Sequence, residues 1–421
     1  MAPIVAAPES LPYLQARSRV LDAVRPGPEE LVPLERARGR ATRRPLVAGL
    51  ALPPFRNASM DGAAVRAADL LTAGSRPVEL PVRAAIAAGS PPSALAAGSC
   101  AWIMTGAPVP EGADAVVPIE ELEPMDGANP SRGGGKVRFT AAPAPGANVR
   151  EAGADVRSGE GLWEAGRELS AHDLGLLAAL GEPAVLVGRR PRVAVISTGD
   201  ELLAPGEPLR PGAIYDSNRP MLGALLEECG AELIASERAG DDPARVGESI
   251  ARALASADVT ITIGGVSAGA FDPVKLGLAA FEGISLWRVA MKPGRPQAFG
   301  APEGRLFFGL PGNPASVACV FEALVRPALR KWQVFSSLDR PRVEARASHD
   351  MESRAGRTDF VRVTLARREG AWWAAEAGAQ ISGHVTPQAR AHGLLILSEE
   401  TSRLAAGETA PVWIMRWPEG E

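Results

Sequence analysis

The chain has 421 residues, more than a single core ordinarily organises, so roughly two to four domains are expected. Glycine (45) and proline (38) are abundant, yet 46% hydrophobic content and a mean hydropathy near zero exclude a disordered chain. The formal charge of −4, with no dense basic tract interleaved with aromatics, argues against a nucleic-acid surface and leaves small-molecule chemistry as the default.

Cys100, Cys229 and Cys319 lie far apart, so they outline neither a CxxC motif nor a disulfide framework and read as buried or incidental thiols. His172, His349, His384 and His392 lack HExxH spacing, which argues against zinc. The amino terminus has no basic segment followed by an apolar one, and no run of eighteen apolar residues occurs. A soluble cytoplasmic protein without membrane partners is expected.

In chain order, Leu11, Leu14, Leu21 and Val24 recur at helical spacing and predict a helix over 11–24, ended by Pro26-Gly27-Pro28. Residues 76–150 break into short apolar runs at 78–86, 101–104, 115–119 and 136–139 separated by Gly/Pro clusters, a small strand-rich module. A helical pattern returns over 169–180, and Arg189-Arg190-Pro191 precedes a change of rhythm. From 192 to 333 strand-like runs (193–197, 232–236, 259–263, 286–291, 306–310) alternate with helical ones (218–229, 243–257, 274–281, 315–331). That alternation predicts a doubly wound, mostly parallel sheet covered by helices. Ligands of such folds bind beyond the carboxyl ends of the strands, where four unusual loops are expected to gather: Thr198-Gly-Asp-Glu201, Gly264-Gly-Val-Ser-Ala-Gly269, Lys292-Pro-Gly-Arg-Pro296 and Pro311-Gly-Asn-Pro314. After Pro341 the helices stop, and runs at 360–365, 371–374, 393–397 and 410–415 predict a terminal β domain.

Each loop carries a chemical reading and a plainer one. Asp200 and Glu201 emerge at a strand end, where carboxylates can hold Mg²⁺, or they favour a helix start. Glycines of the 264–269 loop let backbone N–H groups approach a phosphate, and Asp272 with Lys275 suits a metal-bridged anion, although Asp272 also suits an N-cap. Arg288, Lys292 and Arg295 can neutralise a dianion on a proline-stiffened loop or form a solvated positive turn. Pro311 to Pro314 reads first as a turn with Pro314 near the start of a helix. Asp61-Gly62 and the Gly/Pro-rich 104–117 segment read by themselves only as a turn and an exposed loop.

In this order, Ser59-Met-Asp-Gly62, Thr105-Gly-Ala-Pro-Val-Pro-Glu-Gly-Ala-Asp-Ala-Val-Val117, Arg150-Glu-Ala-Gly-Ala-Asp155, Ser197-Thr-Gly-Asp-Glu-Leu202, Tyr215-Asp-Ser-Asn218, the 264–269 loop, Lys292 to Pro296 and Leu310 to Pro314 resemble the molybdopterin molybdotransferase family, to which the carboxyl-terminal part of gephyrin is related. The resemblance covers nearly the whole chain. It implies insertion of molybdate into adenylated molybdopterin with release of AMP, Mg²⁺ dependence and an elongated homodimer in which each cleft faces the partner's β-rich domain. It also implies four domains: a discontinuous linker (1–48 and 151–190), a β-rich domain (49–150), a molybdopterin-binding α/β domain resembling molybdopterin adenylyltransferase (191–334) and a terminal β-barrel (335–421). Carried over by motif, Asp61, Glu201, Asp272 and Lys292 are the expected catalytic residues, with Glu201 and Asp272 on the metal. Thr105, Asp155, Asp242, Ser267, Lys275, Arg288, Arg295, Pro311 and Pro314 are expected to bind substrate, with Asp241 an alternative to Asp242. Ala63 stands where the family usually has tyrosine, Ala270 where an acid is frequent and Arg288 where lysine is familiar. Molybdopterin adenylyltransferase and recipient molybdoenzymes are the expected partners. The rival readings are an adenylyltransferase and a non-catalytic scaffold.

Overall fold

Runs of small and β-branched residues between Arg192 and Leu310 build the sheet that carries the expected loops. In the computed structural model, which describes residues 9–266 and 273–419, the strands Glu232–Arg238, Arg192–Ser197, Val259–Ile263 and Leu306–Leu310 lie side by side and parallel. Both faces are covered. Along the second of these strands Val193 and Val195 pack with Leu222, Leu225 and Leu226 of the helix Asn218–Glu228, whereas Ala194 and Ile196 pack with Val246, Ile250 and Ala253 of the helix Pro243–Ser256. The period-2 alternation of a strand thus serves two helical layers, and burial on both faces makes this run apolar from Val193 to Ile196. Asp242 caps the second helix by accepting from the Ala244 N–H at 2.9 Å, with Pro243 at the first helical position.

The parallel set then gives way to a hairpin. Pro296–Gly300 runs antiparallel both to Leu306–Leu310 and to Ile284–Lys292. Its proline at the opening position, opposite Arg288, hides this strand from a sequence reading, because proline cannot donate to a ladder and is tolerated at a strand's first residue. Glu9–Pro12 adds a parallel strand beside Ile284–Lys292, so the expected first helix starts later, at Tyr13–Ala23. The last helix of this part continues from Pro314–Val320 through a π-helical Phe321–Val325 into Arg326–Trp332.

Ile284–Lys292 also pairs with Thr358–Arg368, through Met291 with Thr358 and Lys292 with Asp359. From there the pairing passes through Ala371–Glu376, Arg342–Ala347, Thr409–Ile414 and Gly393–Leu397 and returns to Thr358–Arg368, closing a five-stranded barrel. The barrel region holds one short helix, Thr386–Arg390, which the sequence pattern there did not suggest. All these elements belong to one compact unit, formed by the chain up to Arg44, Ala165–Ser170 and the chain from Ala184 onward. Glu29–Pro33 and Ala184–Gly188 pair antiparallel within it.

The second unit, Pro45–Glu164 with Ala171–Pro183, is built on a six-stranded sheet. Its order is Ala115–Pro118, Gly62–Val65, Cys100–Ile103, Val78–Ile86, Lys136–Phe139 and Glu123–Met125. Here too the alternation serves two cores: Ala63, Val65, Cys100 and Trp102 on one face, Ala64, Ala101 and Ile103 on the other. Gly62 opens a strand rather than a turn, and a Cβ there would stand 2.0 Å from the Val117 carbonyl oxygen. The three cysteines are buried, as their scattered positions suggested. Among the described residues no helix is long and apolar enough to cross a membrane.

Candidate functional site

The carboxyl ends of the parallel strands, the hairpin and the barrel surround a cavity of about 1400 Å³. Its walls hold the described parts of all four expected loops: Thr198, Gly199 and Glu201; Gly264 to Val266; Lys292 to Pro296; and Pro311 to Pro314. They converge because parallel strands deliver their C-terminal ends to one edge of the sheet. Gly199 is required for its loop, with φ of 138° and a position where a Cβ would lie 2.5 Å from Glu201 Oε2. Leu202–Leu203 then forms a short strand, so Asp200 and Glu201 do not start a helix.

The hairpin aims the cations. Trp287, Val289 and Met291 are buried in the core, so Arg288 and Lys292 project from the other face of the same strand, exposed and within the cavity wall. Arg295 follows across the turn, where Val289 N–H bonds the Arg295 carbonyl at 2.8 Å. Pro314 is both the first residue of its helix and part of the wall, so the turn and pocket readings of Pro311 to Pro314 hold together.

Two expected positions are redistributed. Asp241 lines the cavity, and it exchanges hydrogen bonds with Asp200, each carboxylate accepting the other's N–H at 3.2 Å. Asp242, the residue favoured by motif, is instead committed to its helix cap and faces Arg245 at 4.0 Å. Lys275 sits on the helix Pro273–Leu278 and is not among the described walls of the cavity. Ser267 and Asp272 lie outside the described residues.

Asp61 and Thr105 meet in the second unit. Gly62 pairs with Ile103, which brings the residues flanking these strands to one sheet end. Asp61 Oδ1 accepts both the Thr105 N–H at 2.6 Å and its hydroxyl at 2.8 Å. Those two donors, the backbone one foremost, hold the Asp61 carboxyl below the ordinary carboxylate range although it is exposed. Asp155 is exposed in the same unit, its N–H bonded to the Leu52 carbonyl at 2.9 Å.

The structure adds residues that sequence reasoning missed. Asp216 is 1% exposed and accepts from Ser197 Oγ at 2.9 Å and from Arg219 Nε at 2.7 Å while reaching the cavity. Its motif, Tyr215-Asp-Ser-Asn218, was visible, but nothing in it signalled burial. Arg354, Arg357, Gln380 and Ser382 enter from the barrel region, and Ser382 Oγ accepts from Asn313 Nδ2 at 3.0 Å. No local signal could find these four, because the ladder between Lys292 and Asp359 is what brings their segments to the cavity. The wall thus carries Arg288, Lys292, Arg295, Arg354 and Arg357 against Glu201, Asp216 and Asp241. Among the described residues, five cations facing three acids suit a substrate with several negative charges. Among the described residues no three His, Cys, Asp or Glu side chains are grouped to hold a metal ion.

Comparison with known proteins matches three family models along the chain. Residues 11–181 match the MoeA N-terminal region (domain I and II), 194–331 a probable molybdopterin binding domain and 344–415 the MoeA C-terminal region (domain IV). The chain is 40% identical over 392 residues to molybdopterin molybdenumtransferase 2 of Mycobacterium tuberculosis, covering 91% of this chain and 94% of that one. It is 35% identical over 402 residues to the molybdopterin molybdenumtransferase of Haemophilus influenzae, covering 94% and 97%. A crystal structure of the molybdopterin biosynthesis MoeA protein from Pyrococcus horikoshii superposes with a TM-score of 0.82 at 32% identity, over 97% of this chain and 100% of that one. The cavity at the strand ends, the closed barrel and the matches along nearly the whole length lead to one conclusion: this chain belongs to the MoeA family of molybdopterin molybdenumtransferases.

Proposed function

We propose that this protein is a molybdopterin molybdotransferase that inserts molybdate into adenylated molybdopterin and releases AMP. The observation that carries the reading is the convergence of Arg288, Lys292, Arg295, Arg354 and Arg357 on one large cavity. Adenylated molybdopterin bears a phosphoanhydride and a dithiolene, and molybdate is a dianion, so binding them together requires cationic side chains. Arg288, Lys292 and Arg295 hold molybdate or phosphate, aided on sequence grounds by Ser267 and Lys275, while Pro311 and Pro314 keep the wall rigid. Glu201 orients the water whose attack on phosphorus breaks the phosphoanhydride, leaving AMP and molybdopterin with its own terminal phosphate.

Hard oxygen donors at the cavity fit Mg²⁺, which when bound would supply positive charge beside the phosphoanhydride. Glu201 would hold it, with Asp272 assigned from its motif. Thr105, Asp155 and Asp61 complete the site in this reading, with Asp61 and Thr105 contributed within a homodimer. Of the neighbouring acids, Asp241 replaces Asp242 in the substrate role, because Asp242 is spent on a helix cap. We further infer a cytoplasmic enzyme of four domains with the bounds expected from sequence, receiving substrate from molybdopterin adenylyltransferase and passing product to molybdoenzymes.

The test is molybdate-stimulated AMP release from adenylated molybdopterin, measured with and without Mg²⁺. Release that rises with molybdate is expected, and release indifferent to molybdate would overturn the reading in favour of an adenylyltransferase or a scaffold. Lys292→Gln is expected to weaken molybdate binding and flatten its salt dependence, since one cation is removed from a screened ion contact. Asp272→Asn is expected to retain the fold but lose most AMP release.

A further inference from the structure

Arg357 reaches the cavity already held by a partner. Its Nε donates to Asp359 Oδ1 at 2.7 Å and its Nη2 to Asp359 Oδ2 at 3.1 Å, a two-point contact that fixes the plane of the guanidinium. The Asp359 side chain is 4% exposed and that of Arg357 30%. Asp359 is itself anchored by backbone on both sides, opposite Lys292 in one ladder and Leu397 in the other. Buried and with both oxygens accepting from Arg357, it is not part of the cavity wall. A guanidinium has five N–H groups, and this contact uses two. Among the described residues no hydrogen bond claims the remaining three.

We propose that Asp359 is a positioning residue for the reaction: it orients Arg357 so that the three unclaimed N–H groups bind a tetrahedral oxyanion in the cavity. The inference rests on the anion-binding reading above and extends it to a residue that never touches substrate. It also links two cations of the site, because the strand register that seats Asp359 places it beside Lys292. The sign of one substitution separates this role from simple electrostatics. Were Asp359 only a negative charge near the site, removing that charge would tighten anion binding. As a positioning group, its removal releases Arg357 to rotate and loosens binding, despite the more favourable net charge.

The test is equilibrium binding of molybdate, and separately of inorganic phosphate, to the full chain and to Arg357→Met, Asp359→Asn, Asp359→Glu and the Arg357→Met/Asp359→Asn double variant, with thermal unfolding recorded for each. Arg357→Met should weaken oxyanion binding about tenfold or more, the loss of charge-assisted hydrogen bonds. Asp359→Asn should weaken it in the same direction, and the double variant should bind no more weakly than Arg357→Met, because both changes remove one interaction. Asp359→Glu keeps the charge but displaces the carboxylate by a methylene, and it should also weaken binding if the Asn variant does not fold. The oxyanion that responds identifies the molybdate or the phosphate part of the substrate as the one bound. Tighter or unchanged binding in Asp359→Asn, wild-type binding in Asp359→Glu, or losses that add in the double variant overturn the proposal. If Lys292→Gln weakens molybdate binding while the Arg357 and Asp359 variants do not, the anion cleft stands and only the positioning role fails. If Lys292→Gln also binds as wild type, the cleft reading falls with it.

Discussion

Asp61 shows what a single residue can and cannot disclose. As part of an Asp-Gly pair it reads as a turn, but pairing of the flanking strands gives its carboxylate two donors from Thr105. Hydrogen bonds to the charged form lower its pKa, so the group contributes stability above the ordinary carboxylate value and loses it as pH falls through the lowered one. Thr105→Val removes the hydroxyl donor while keeping the N–H. The Asp61 titration midpoint, followed by carboxyl NMR shift, should therefore rise toward the ordinary value without reaching it, and a midpoint that stays put would show that the hydroxyl contributes nothing. The Asp241 and Asp242 pair makes the same point from the other side. Adjacent identical residues are indistinguishable by motif, and only the direction in which the chain enters its helix commits one to the cap and the other to the cavity.

Elements with a strong period were legible almost to their ends. Val259–Ile263, Leu306–Leu310, Val78–Ile86 and Gly393–Leu397 are where their runs indicated: the first two are buried throughout, whereas Val78–Ile86 buries Leu80, Val82 and Ile86 and exposes Glu79 and Arg83. The hairpin that carries Lys292 and Arg295 was half legible, its second strand masked by proline. Its turn depends on Gly294, with φ of 108°, where a Cβ would stand 2.4 Å from Val320 Cγ2. Gly294→Ala should cost about 1–3 kcal/mol and weaken molybdate binding as well, since the same turn sets the spacing of the two cations. Gly175, inside the helix Ala171–Ala179, has a negative φ and open space where a methyl group would stand, with no atom within 4 Å. Gly175→Ala should stabilise by about 0.5–1 kcal/mol through helix propensity. Chemical denaturation of the two variants checks the contrast, and equal shifts would refute the assignment of strain to Gly294.

At the scale of the whole molecule, the proposed two-fold assembly makes its own prediction. If each site needs Asp61 from one chain and Lys292 from the other, Asp61→Asn and Lys292→Gln homodimers unfolded and refolded together should regain activity. Random mixing makes about half the dimers mixed, and each mixed dimer has one site with both lesions and one with neither, so about a quarter of wild-type AMP release is expected where each single variant is inactive. Recovery no greater than the separate variants show, with subunit exchange verified, would place both residues in a site of one chain.

Periodic burial and loop chemistry, both local properties, were enough for the sequence by itself to determine the α/β character of 192–333 and the four loops at the strand ends, while its ordered motifs carried the resemblance to the family. Only the tertiary structure decided that the barrel closes onto the hairpin through Lys292 and Asp359, that Arg354, Arg357 and Ser382 thereby share a cavity with Glu201, and that Asp216 reaches that cavity from a buried network. These are contacts between segments tens to more than a hundred residues apart. Their geometry depends on strand register and packing, for which no short stretch of chain carries a signature.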